Sequence, residues 1–80
     1  MGGLEPTNLF EQVVKASGLS SMFAAGAIER ALVRSGVSGG RTKLGRAELE
    51  RAMPTIVSTI RSFLSPEDAS AAERRLRELL

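Results

Sequence analysis

The chain has 80 residues, a formal net charge of +2, 42% hydrophobic and 25% charged residues, which describes one small folding domain rather than a disordered segment. Cysteine is absent, so disulfide frameworks and thiolate metal sites are excluded and the expected location is the cytoplasm. No signal peptide or membrane span is expected, because the longest uncharged stretch, Ala16 to Ile28, is interrupted by serines and glycines.

Residues 1–5 read as a disordered tail or expression remnant, and residues 6–80 as a single helical domain. Pro6-Thr7 offers a helix start, followed by Leu9, Phe10, Val13 and Val14 on one face and Glu11, Gln12 and Lys15 on the other. Gly18 is the natural stop. Ser20 or Ser21 can cap a second helix in which Ala24, Ile28, Ala31 and Leu32 recur at helical spacing, widened by Phe23 and Ala27. The small run Ala24-Ala25-Gly26-Ala27 lets another backbone approach closely, and this helix should fade at Ser35-Gly36.

The stretch 35–44 is glycine- and serine-rich and reads as the extended internal loop, anchored to the core by Val37. Gly45 is an acceptable cap for a third helix, with Glu48 at its third position and Leu44 and Leu49 placed to staple it. From Leu49 the apolar residues Ala52, Met53, Ile56, Val57, Ile60, Phe63 and Leu64 keep one helical phase across Pro54. The proline falls on the polar side with Glu50, Arg51, Ser58 and Arg61, so it either bends one helix or divides it in two.

Ser65-Pro66-Glu67-Asp68 is an N-cap, a first-position proline and two acids at a dipole's positive end. The helix it opens has Ala69, Ala72, Leu76, Leu79 and Leu80 as its seam, with Glu73–Arg77 and Arg74–Glu78 pairs four apart. The resulting expectation is an all-α fold, a small orthogonal bundle of four helices, or five if Pro54 splits the third.

Histidine, tyrosine and tryptophan are absent along with cysteine, and the single aspartate, Asp68, serves a helix start. A serine nucleophile therefore lacks a histidine base, and neither Lys15 nor Lys43 has the apolar setting that would make it one. We expect no enzyme, no metal, no cofactor and no small-molecule substrate. The 35–44 loop offers calcium no carboxylate, and Gly39-Gly40-Arg41-Thr42-Lys43 lacks the spacing of a phosphate-binding loop.

Val13 to Gly18, and Gly40 to Leu44 followed by Glu48-Leu49-Glu50, resemble the first helix and the second loop plus third helix of archaeal-type histones. That resemblance would bring Arg41 and Thr42 to DNA phosphates. The family's long central helix needs about eight turns, whereas Ser21 to Ser35 supplies roughly four.

Two functions remain. The leading expectation is a non-catalytic protein-protein interaction or oligomerisation module, regulatory or accessory, meeting a protein partner or a second copy through Leu76, Leu79, Leu80, Arg51 and Arg61. The alternative is a small nucleic-acid-binding domain, because the segment from Arg30 to Arg61 is locally basic. Its phosphate contacts would come from Arg30, Arg34, Arg41, Lys43, Arg46 and Arg51.

Overall fold

Asn8 caps the first helix: its side-chain oxygen accepts the Glu11 amide at 2.8 Å. The computed structural model describes residues 8–37 and 43–80; the proposed proline start and the Gly39 to Thr42 stretch lie outside them. Among the described residues four helices follow in order, α1 Leu9–Ser17, α2 Ala24–Arg34, α3 Arg46–Phe63 and α4 Pro66–Arg77, with no strand. The fold is an all-α, four-helix bundle.

Each boundary has a local cause. Gly18 ends α1 at φ 75°, a left-handed conformation that a side chain disfavours. Neither Ser20 nor Ser21 caps α2 directly, which corrects the sequence expectation. Ser20 instead begins a turn, its carbonyl accepting the Phe23 and Ala24 amides at 3.1 and 2.8 Å, and α2 begins at Ala24 without a side-chain cap. At its far end the Gly36 amide bonds the Val33 carbonyl and the Val37 amide bonds the Leu32 carbonyl. With Gly36 at φ 84° this is a Schellman ending, and it tucks Val37 into the core as expected.

α3 runs unbroken from Arg46 to Phe63 with Pro54 inside it, so the five-helix division is removed. Pro54 and Glu50, whose carbonyl the proline leaves without its usual donor, are both exposed, while Leu49, Ala52, Met53, Ile56 and Ile60 are buried. Packing of that face outweighs the bias of Met53 away from helical geometry. Ser65 caps α4, its hydroxyl accepting the Asp68 amide at 3.3 Å, as the Ser-Pro-Glu-Asp signal requires.

The helices close a circuit: α1 packs on α2 and α4, and α3 packs on the same two. The Cα radius of gyration is 12.0 Å, close to the roughly 12 Å expected of one folded body of this length. Val13, Ile28, Leu32, Leu49, Ile56 and Leu76 fill the centre with almost no exposure. Leu76 is therefore a core residue; its complete burial removes it from the partner-binding set.

The ends of the circuit are tied by polar groups that the periodicity does not reveal. Ser17, fully buried, donates to the Val14 carbonyl at 2.7 Å and accepts the Leu19 amide at 3.2 Å. Arg75 of α4 donates through Nε to the Ala16 carbonyl at 3.1 Å, bringing a cation to the C-terminal end of α1. A Cβ on Gly18 would stand 3.1 Å from the Arg75 Nη2, a contact that a small shift of that side-chain end relieves, so the positive φ is what requires glycine there. Among the described residues no buried side-chain polar atom lacks a partner.

Candidate functional site

The stripe of α2 that faces the core, Ala24, Ala27, Ile28, Ala31 and Leu32, leaves Glu29, Arg30, Val33 and Arg34 on its flank. The last two turns of α3 bring Ser58, Thr59, Ser62 and Phe63 alongside. Together with Ala27 these side chains line an open groove of about 650 Å³. Val33 is 66% exposed and Phe63 56% exposed, although both are large apolar residues.

Phe23, in the turn before α2, packs on Phe63 with ring centroids 5.1 Å apart and planes tilted by 54°. The pair ties the start of α2 to the end of α3, yet Phe23 remains 38% exposed, and neighbouring Met22 is 91% exposed. Among the described residues the only other large apolar side chain with comparable exposure is Leu80. Two of these exposed side chains, Val33 and Phe63, thus line the groove, and Phe23 packs on the second of them.

Its polar edge is basic on the α2 side. Arg34 donates through Nη2 to the Thr59 hydroxyl at 3.0 Å, spanning the groove from one helix to the other. Arg30 turns back to its own helix, its Nε lying 3.5 Å from the Gly26 carbonyl. On the α3 side the Thr59 hydroxyl donates to the Thr55 carbonyl at 2.9 Å and the Ser62 hydroxyl to the Ser58 carbonyl at 3.2 Å. That wall is polar without charge.

Of the six basic residues expected to meet phosphates, the groove gathers Arg30 and Arg34 only. Lys43, Arg46 and Arg51 are exposed, but Arg46 lies about 18 Å along α3 from Ser58 at the helical rise. Arg41 and Thr42 are outside the described residues. The eleven-residue α2 is also too short for the long central helix of a histone, so the resemblance fails at its defining element.

Of the residues expected at a protein interface, Leu80 and Arg61 meet at one groove through Glu73. Leu79 is half-buried against the core. Leu80 is 38% exposed and lines a smaller groove of about 340 Å³ with Glu50, Met53, Pro54, Val57, Glu73 and Arg77. Arg51 is exposed, and Arg61 is engaged by Glu73 at 3.2 Å. Glu73 also holds Arg77 at 2.7 Å, whereas the expected Arg74–Glu78 bridge does not form. Hydrogen bonds from Arg77 first and Arg61 second hold the Glu73 carboxyl below its ordinary pKa.

The exposed Val33 and Phe63 were hidden from the sequence reading for different reasons. Val33 follows Leu32 and adds nothing to the period of α2, so it looked incidental. Phe63 keeps the phase of α3, but α3 ends there and the ring overhangs the core. Among the described residues no cluster of His, Cys, Asp or Glu could hold a metal, and no helix is long and apolar enough to cross a membrane.

In comparisons with known proteins, no family model matches the chain, and neither a curated protein nor a solved structure is significantly similar to it.

Proposed function

We propose that this chain is a non-catalytic protein-interaction module of the cytoplasm whose docking face is the groove between α2 and α3. One observation carries the reading: a well-packed core coexists with Val33, Phe63 and Phe23 left open around a single groove. Exposed large apolar residues gathered in a concavity, with polar groups at the rim, are the anatomy of an interface rather than of a reaction centre. The proposal moves the interface away from Leu79 and Leu80, because Leu79 is half-buried against the core and the groove that Leu80 lines is about half the volume. A regulatory or accessory role would follow from what the partner does.

The test is retention of a partner from an extract of the source cells, followed by reconstitution from purified components. The immobilised chain should retain a partner that binds the purified chain in calorimetry and is lost by Val33→Glu. A partner bound equally by the variant would overturn the assignment of the face. Tight DNA or RNA binding that falls steeply with salt, and that needs Arg46 and Arg51, would replace the reading with the nucleic-acid alternative.

A further inference from the structure

Resting on that docking face, we infer that its occupant is an amphipathic helix of a protein partner bearing acidic residues beside its apolar anchors. The groove has two kinds of surface. Val33, Phe63 and Ala27 supply an apolar lining, and Arg30 and Arg34 supply cations on the α2 wall. Among the described residues the polar groups of the facing wall are the hydroxyls of Ser58, Thr59 and Ser62, which add no positive charge and no acid. Among the described residues Glu29 is the one carboxylate in the lining, beside two arginines.

The arginines are also incompletely engaged. Arg30 makes a long contact of 3.5 Å to a carbonyl of its own helix, and Arg34 is held by a neutral hydroxyl. A carboxylate forms stronger, charge-assisted bonds with guanidinium than either acceptor does. An incoming acid would therefore draw both side chains to the groove's edge without breaking an ion pair between them and α3.

Spacing narrows the occupant further. Arg30 and Arg34 are four residues apart on α2, so their attachment points lie about 6 Å apart on one helical face. Acids three or four apart on a partner helix have the same separation. Apolar residues on the adjacent stripe of that helix would then enter between Val33 and Phe63, in the manner of a helix lying in a groove.

The experiment is a display selection from a helical peptide library, randomised in charge and at the apolar positions, against the purified chain. Counter-selection against Val33→Glu keeps peptides that use the groove. Surviving peptides should be enriched in Asp and Glu three or four apart beside paired apolar anchors. Arg30→Glu/Arg34→Glu should weaken them at least about tenfold while leaving the circular dichroism unchanged. Survivors that are basic or uncharged would overturn the acidic occupant while leaving the docking face intact. If no peptide survives counter-selection, both the face and its occupant are refuted. Concentration-dependent self-association in sedimentation that Val33→Glu abolishes would give the groove to a second copy and overturn the acidic helix.

Discussion

Ser17 shows how one side chain can secure a helix end that the hydrophobic pattern alone would leave ragged. Its hydroxyl serves as donor to Val14 and acceptor for Leu19 inside the fold, so Ser17→Ala removes two bonds and strands a buried amide. The expected loss is about 1–2 kcal/mol in urea unfolding; unchanged stability would show that this hydroxyl is dispensable. Glu73 makes a prediction in the opposite, exposed setting. Its carboxyl pKa is lowered in the folded chain by Arg77 and Arg61. The stabilisation is therefore complete above the unfolded value, about 4.3 for glutamate, and is lost as pH falls through the lower folded value. Glu73→Gln should flatten the acid limb of the stability profile slightly and leave the neutral limb flat. A variant whose acid dependence matches the parent would refute the assignment. The effect must be small, since both arginines are more than half exposed.

At the level of the helix, Pro54 is the telling case. An unbroken apolar phase from Leu49 to Phe63 predicted that the proline would not change which face meets the core, and α3 is continuous through it. Pro54→Ala restores an amide donor on the exposed side and relieves the restriction on Met53. It should raise stability by roughly 1–3 kcal/mol with helical content kept or increased. A lower midpoint in thermal unfolding would contradict this. Helix faces were legible because periodicity reports burial directly: Ala24, Ile28, Ala31, Leu49, Ile56, Ala69 and Ala72 are all core. Starts were less legible. Asn8 competes with Pro6-Thr7 as a signal, and Ser20 acts through its carbonyl in a turn rather than through a side-chain cap. Leu76 was misassigned because a seam residue at the end of a chain has the same pattern whether it meets the core or a partner.

For the molecule as a whole, the groove proposed as a docking face was the least legible part, because it is made by two helices whose contact no local pattern encodes. Arg30 and Arg34 were visible as basic residues, but without α3 beside them they were grouped with Arg46 and Arg51, which belong to the other end of α3. Val33 and Phe63 become informative only when both are seen to remain open after packing is complete. Similarly, Arg75 looked like one of several surface arginines until the fold placed it at the last carbonyls of α1. These are consequences of long-range packing, which hydrophobic period and cap chemistry constrain only through the set of elements they create.

The most direct measurement of the central claim is amide chemical-shift mapping of the reconstituted partner onto the isotopically labelled chain. The perturbed resonances should cluster at Phe23, from Ala27 to Arg34, and from Ser58 to Phe63, with α4 unaffected. A cluster centred instead on Pro54, Leu79 and Leu80, or on Lys43, Arg46 and Arg51, would contradict it.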